Sequence, residues 1–410
     1  MSSRLSSVLV AGGIVAIALL DSGCGAVPRS PLPATPAATA TASPSPLAST
    51  PSATAAPSPS PAPSAPPACT TAGVLATWSV QRLAEQTLVM PVDENSVGSV
   101  RDQVAAGAGG LLLLGASAPA DLASALAAVE RAAPGGIVPL VMTDEEGGAI
   151  QRMANLVGTM PSAREMATTI SPAQIQALAT QVGRRMKALG VSMDLAPVLD
   201  LDGGAGPDAA DPDGTRSFST SAAVAGADGL AFAAGLEAAG VIPVAKHFPG
   251  LGGATANPDL AVATTQPWSA LQGGGLLPFA SAVRAGIPAI MVTGAAVPGL
   301  SAQPASLSPA VVTGLLRTQL HFTGLVLTDA LTETTVTAAG YSLGQAAVAA
   351  LRAGADMLLF NGQPPSDNPA LAVEAEQAVV AAVQGGSLPR SRLESAVLRI
   401  LASKHVDLCH

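Results

Sequence analysis

The stretch Gly240-Val241-Ile242-Pro243-Val244-Ala245-Lys246-His247-Phe248-Pro249-Gly250 decides the fold of this chain. Its first six residues form an apolar run of the length of a buried strand. A lysine, a histidine and a Pro-Gly turn then follow where a strand meets a loop. A packed core has no use for two adjacent cation-capable side chains. A ligand with a ring of vicinal hydroxyls does, because it needs several polar partners at fixed spacing. A second strand with an unusual polar end, Leu325-Val326-Leu327-Thr328-Asp329, lies downstream.

Working outward, eight short apolar runs recur: Leu88–Val92, Gly110–Leu114, Ile137–Thr143, Val191–Leu199, Val241–Ala245, Ile287–Val292, Leu325–Thr328 and Met357–Phe360. Ala-rich stretches with helical spacing separate them, among them Leu122–Ala132, Pro172–Leu189, Ala222–Ala239 and Leu343–Ala353. Alternating strands and helices make parallel βα units. Eight such units predict an α/β fold, a (β/α)8 TIM-type barrel forming a single catalytic domain over residues 69–410. An open doubly wound sheet would want a Gly-rich phosphate loop after its first strand, and Met90-Pro91-Val92-Asp93-Glu94 supplies none.

The residues before Cys69 are not part of that fold. Val8–Leu20 is an apolar run of 13 residues, too short to span a bilayer and of the length of a signal-peptide core. Residues 1–23 are therefore expected to be a signal peptide. Ser22-Gly23-Cys24 resembles a bacterial lipobox, which implies a lipid on Cys24, although Asp21 stands where an aliphatic residue is usual; plain secretion is the alternative. Of the 43 residues at 26–68, all but Val27, Arg29, Leu32 and Leu47 are Pro, Ala, Ser or Thr. Such a segment has little to bury and cannot offset its ordering entropy. Residues 24–68 are expected to be a disordered, lipid-anchored stalk, with an extended reach on the order of 130 Å for its prolyl-rich part.

Beyond the signal and stalk the chain carries 17 basic and 27 acidic residues. This balance argues against nucleic acid, which needs a basic footprint. Cys69 and Cys409 stand at the two ends of the domain. In an exported protein such a pair can oxidise and tie the termini together; a free buried pair is the alternative. Two distant cysteines and four scattered histidines offer no metal-ligand spacing. No metal and no cofactor are expected, and the domain is expected to be a monomer.

In a barrel, chemistry gathers at the C-terminal strand ends. The polar residues there are Asp144, Glu145, Glu146 and Arg152 after the third strand, and Asp200 after the fourth, with Arg216 in its long loop. The fifth gives Lys246 and His247, the sixth Thr293, and the seventh Asp329. Together with the motifs Thr143-Asp144-Glu145-Glu146-Gly147-Gly148, Ala196-Pro197-Val198-Leu199-Asp200 and Lys246–Gly250, these residues resemble glycoside hydrolase family 3. They are most similar to its bacterial single-barrel β-N-acetylglucosaminidases. The resemblance extends over Cys69 to Cys409; the signal, stalk and terminal cysteines resemble actinobacterial lipoprotein members.

The resemblance implies that Asp329 is the catalytic nucleophile, since a retaining glycosidase needs a carboxylate beneath the anomeric carbon. It implies substrate-binding roles for Asp144, Arg152, Arg216, Lys246 and His247, with the last two as paired donors to ring hydroxyls. Glu146 is expected to order its loop, and Asp200 to stand behind the contact layer. One departure matters. Family members carry an Asp-Ser-His triplet on the loop after the fifth strand, and its His donates the proton. Here that loop reads Gly250-Leu251-Gly252-Gly253-Ala254-Thr255-Ala256-Asn257-Pro258-Asp259. Asp259 stands where the His would be and becomes the candidate general acid; a structural role for it, or a donor from elsewhere, are the alternatives.

The implied function is an exo-acting, retaining β-N-acetylglucosaminidase of cell-wall, muropeptide-type glycans. It would work outside the cytoplasm, attached to the membrane as a lipoprotein. A non-catalytic or weakly catalytic sugar-binding lipoprotein that has lost its acid is the alternative. A β-glucosidase would want a second domain to supply a Glu acid. A Schiff-base aldolase at Lys246 would want an apolar pocket around that lysine, and the neighbouring carboxylates predict the opposite.

Overall fold

The computed structural model describes residues 69–409. The expected signal segment, the lipidation at Cys24 and the stalk lie outside the described residues, as does His410.

Eight parallel strands form the barrel: β1 (Leu88–Asp93), β2 (Gly110–Leu114), β3 (Leu140–Thr143), β4 (Met193–Asp194), β5 (Ile242–Phe248), β6 (Ala289–Val292), β7 (Leu325–Thr328) and β8 (Leu358–Leu359). From β1 to β7 each pairs with the next in chain order, and β1 also pairs with β8. The ring closes through a parallel bridge between Leu327 and Met357, with the Thr328 N–H donating to the Met357 carbonyl at 3.0 Å. After each strand comes a helix: α1 (Arg101–Ala106), α2 (Leu122–Glu130), α3 (Pro172–Ala188), α4 (Ala222–Ala238), α5 (Leu276–Ala285), α6 (Ala310–Gln319, wound as a π-helix), α7 (Leu343–Ala353) and α8 (Asn368–Gln384). A ninth, α9 (Arg390–Ser403), follows.

The strands read as unbroken apolar runs because both of their faces are covered. Val89, Leu112, Met142, Met193, Val244, Met291, Leu327 and Leu359, one from each strand, pack in the barrel interior. Their neighbours of opposite parity, such as Leu111, Val141, Ala245, Ile290 and Val326, join the larger cluster shared with the helices. Helix ends follow local signals. Ser342 and Gln345 close a capping box on α7, with the Ser342 N–H donating to Gln345 Oε1 at 3.0 Å. Gly354 ends that helix at φ 117°, a conformation that favours glycine, and turns the chain into β8.

Away from the polar strand ends, Asp356 enters β8 fully buried. It accepts hydrogen bonds from Arg317 Nη2 (2.6 Å), Arg392 Nη2 (3.0 Å) and Arg399 Nη1 (3.1 Å), and from the Val326 N–H (3.0 Å). One carboxylate thus ties α6, α9 and β7 together. No helix among the described residues is long and apolar enough to cross a membrane.

Cys69 and Cys409 are joined by a disulfide across a sequence separation of 340, with Cα atoms 5.8 Å apart. Beside it, Thr71 Oγ1 donates to Asp407 at 2.9 Å. Non-reducing peptide mapping of the protein is expected to recover one linked pair. Replacing both cysteines by serine is expected to lower stability by up to about 5 kcal/mol, the upper end for so long a closed loop. Two free thiols in protein purified without reductant would overturn the pairing.

Candidate active site

The C-terminal ends of the strands surround a pocket of about 270 Å³. Asp144, Arg152, Arg216, Lys246, His247, Asp259 and Asp329 all line it, together with Glu146, Asn257 and Glu333. Barrel-core residues Leu112, Leu195, Met291 and Leu359 line it too.

After β3 the chain forms a short hairpin of Glu145–Gly147 against Ile150–Gln151. Successive side chains of an extended segment point to opposite sides, and this divides the three acids. Glu145 turns into the hairpin, where it accepts from the Met153 N–H at 2.5 Å and from Gln151 Nε2 at 2.9 Å. Burial raises its carboxyl to about 6. Asp144 and Glu146 face the pocket. The loop-ordering role expected of Glu146 therefore belongs to Glu145, and Glu146 organises the cations instead.

Lys246, on β5, is 2 % exposed. Its Nζ lies 2.5 Å from Asp144 Oδ1 and 2.6 Å from Glu146 Oε1. Arg216 grips Glu146 with both arms of its fork, Nε to Oε2 and Nη2 to Oε1, each at 2.8 Å. Burial opposes the Glu146 charge, but Arg216 and then Lys246 overcome it and hold that carboxyl well below the usual range. Burial likewise opposes the charge on Lys246; Asp144 and Glu146 outweigh it and raise its pKa. Arg152, at the rim, comes within 4.0 Å of Asp144.

His247 is held by Asp200, whose Oδ2 lies 2.6 Å from Nδ1 and accepts the His247 backbone N–H at 2.8 Å. The other oxygen of Asp200 accepts the Leu251 N–H at 2.6 Å. Burial, then Arg216, lowers the imidazole to about 4, so the ring is neutral at physiological pH. With its proton on Nδ1 toward Asp200, the ring turns the Nε2 lone pair to the pocket, 3.4 Å from Arg216 Nη2. In this tautomer Lys246 is a donor, and the Nε2 of His247 is an acceptor met by Arg216. Asp213, which the sequence reading did not single out, is fully buried 3.9 Å from both Arg216 Nη1 and His247 Nδ1. Asp200, Asp213 and His247 are close enough for a cation. The hydrogen bond from Nδ1 to Asp200 already occupies two of the three donors, so the group is a support for the imidazole.

Asp329 follows β7 and is partly open to the pocket. Burial raises its carboxyl; Asp259 adds to the rise and Lys246 opposes it, as His247 would only if protonated. Asp259 stands exposed at the pocket mouth, and the protein crowding its inner side raises it, against the pull of Arg216. The loop that carries Asp259 is docked. Asn257 N–H donates to the Ala209 carbonyl at 3.1 Å, Thr335 N–H to Pro258 at 3.2 Å and Thr334 Oγ1 to Asp259 at 2.7 Å. His321 is exposed before β7, and His405 follows α9; neither lines the pocket.

A βα barrel with carboxylates and cations converging on one polar mouth is a frame that can serve sugar cleavage, among other chemistries. The profile described as glycosyl hydrolase family 3 N terminal domain matches residues 91–403, and the chain belongs to that family and is a glycoside hydrolase. Beta-hexosaminidase LpqI of Mycobacterium tuberculosis is 38% identical over 288 residues, covering 68% of this chain and 71% of that protein. The solved structure of M. tuberculosis LpqI superposes with a TM-score of 0.71 at 34% identity, over 82% of this chain and 97% of that one. A β-N-acetylhexosaminidase from Beutenbergia cavernae gives a TM-score of 0.73 at 32% identity, over 81% and 100%.

Proposed function

We propose that this protein is an exo-acting, retaining β-N-acetylglucosaminidase that removes terminal N-acetylglucosamine from cell-wall, muropeptide-type glycans. It works outside the cytoplasm, tethered by lipid on Cys24. The observation that carries this reading is Asp329 facing the Lys246, Asp144, Glu146, Arg216 and His247 network across one pocket floored by the barrel core. β-Hexosaminidase activity is what the named relatives in the same family have in common.

The sugar sits with Asp144, the free N–H of Lys246, the His247 Nε2 lone pair, Arg152 and Arg216 around its polar groups. Asp329 attacks the anomeric carbon as Asp259 gives a proton to the departing oxygen, leaving a glycosyl ester on Asp329. Water then attacks the same carbon, Asp259 takes its proton, and the Asp329 carboxylate is released. Two inversions give net retention. Turnover of an aryl N-acetyl-β-glucosaminide followed by proton NMR is expected to deliver the β-anomer first. The α-anomer as first product would overturn a retaining mechanism.

The loop lacking its usual histidine favours a second reading, a non-catalytic or weakly catalytic sugar-binding lipoprotein. Sugar binding with no turnover of even an activated aryl glycoside would select it.

Lys246→Ala is expected to weaken N-acetylglucosamine binding by about 1.5–3 kcal/mol, the worth of a charged donor to a hydroxyl. Unchanged affinity by calorimetry would place Lys246 outside the sugar site.

A further inference from the structure

Glu333 has no counterpart among the residues the sequence reading singled out. It lies just before the short helix Thr334–Ala338, is 3 % exposed, and faces the pocket with Asp329 and Asp259. Its carboxyl is within hydrogen-bonding reach of Asp329. Its Oε2 is buried and meets no hydrogen-bond partner among the described residues. That oxygen nestles against Gly294, just past β6. A methyl group built on Gly294 would come within 2.0 Å of it, so the strand end gives up a side chain to admit a carboxyl.

The nearby cations are already engaged. Lys246 bridges Asp144 and Glu146, and Arg216 is forked onto Glu146. Two carboxyls in contact without a cation of their own do not both ionise; the pair retains a proton. Burial first, then Asp329 and Asp259, push Glu333 well above the usual carboxylate range, whereas Lys246 favours charge on Asp329. The proton therefore resides on Glu333.

We infer that Glu333 is a positioning residue, whose carboxylic O–H donates a hydrogen bond to the Asp329 carboxylate and orients the oxygen that attacks the sugar. This rests on the reading of Asp329 as nucleophile. No proton is transferred: it stays on Glu333 through formation and hydrolysis of the glycosyl ester. The other charged or titratable groups lining the pocket around the pair are Lys246 and His247 from β5, Asp259 from the next loop, Arg216 from the loop after β4, and Asp144, Glu146 and Arg152 after β3. All of them remain in a Glu333 variant.

The test is the pH dependence of inactivation by an activated 5-fluoro N-acetylglucosaminyl fluoride, with the labelled peptide mapped, for full-length wild type, Glu333→Gln and Glu333→Met. Glutamine keeps a donor, so its acidic limb is expected to overlay that of the wild type. Methionine has similar bulk and no donor. Its limb is expected to move up by about one to two pH units, a roughly ten- to hundredfold slower reaction below the limb. If the methionine protein does not fold, Glu333→Asp, which withdraws the acid by one methylene, is expected to show the same shift. Overlaid limbs in all variants, or equal shifts with glutamine and methionine, overturn the role of Glu333 while leaving labelled Asp329 intact as nucleophile. A label on another residue overturns both.

Discussion

Asp329→Asn is expected to lower hydrolysis of an aryl N-acetyl-β-glucosaminide by on the order of 10⁴- to 10⁶-fold, the range for removing a covalent nucleophile. The reason is chemical. An amide cannot form the glycosyl ester, and the other carboxyls of the pocket are placed otherwise: Asp144 and Glu146 are committed to Lys246, Glu146 also to Arg216, Glu333 is buried against Gly294, and Asp259 stands exposed at the mouth. The fold is expected to be unharmed. The folded-state pKa of Asp329 is raised, chiefly by burial, so the native protein binds this proton more readily than the unfolded chain. Above the raised pKa the ionised group lowers stability, and that penalty disappears as pH falls through the raised value. Asn removes the penalty, so the melting temperature at neutral pH is expected to be unchanged or higher. A 2-deoxy-2-fluoro or 5-fluoro sugar is expected to label the wild-type peptide containing Asp329 and to leave the variant unlabelled. Residual activity near that of the wild type, or a label elsewhere, would remove Asp329 from the nucleophile's place.

The barrel was legible because burial on both faces writes each strand as an unbroken apolar run, and the glycine turns between them are local. Boundaries were less legible. β3 begins at Leu140 and not at Ile137, since Pro139 has no N–H for the ladder. β4 shrinks to Met193–Asp194, and pairing resumes only at the bridge between Val198 and Lys246, past Pro197. Lys246 and His247 end inside β5, which runs to Phe248.

The site was legible where a polar residue follows a strand directly, because strand geometry then fixes its direction. It failed where direction depends on the turn. Glu145 and Glu146 are chemically alike and adjacent, and only the hairpin decides that one faces the loop and the other the cations. Asp213 and Glu333 were missed because each reaches the site from a segment outside the strand ends. A signal for Glu333 was present, since it lies only four residues past Asp329, across the short turn that follows β7. Asp356 was missed because its three arginines come from helices distant in sequence.

Asp259→Ala separates an acid from a prop. A glycoside with an acidic phenol departs without a proton, so its kcat is expected to change little. A disaccharide or alkyl glycoside needs the proton and is expected to slow by roughly 10²- to 10⁴-fold. The structure supplies the conditions for this role in part. Crowding raises the Asp259 carboxyl, which favours the protonated donor, while Arg216 pulls it back. The surrounding loop is held to Ala209, Thr334 and Thr335 by its backbone, so the side chain is presented at the mouth by contacts that Asp259→Ala leaves in place. Those contacts make the variant a test of the carboxyl and not of the loop. The basic limb of the wild-type pH–rate profile reports loss of the donated proton, and it is expected to vanish in the variant. If the wild type itself shows the steep leaving-group dependence of an enzyme without an acid, Asp259 serves the loop alone, and the chemistry of this pocket ends with Asp329.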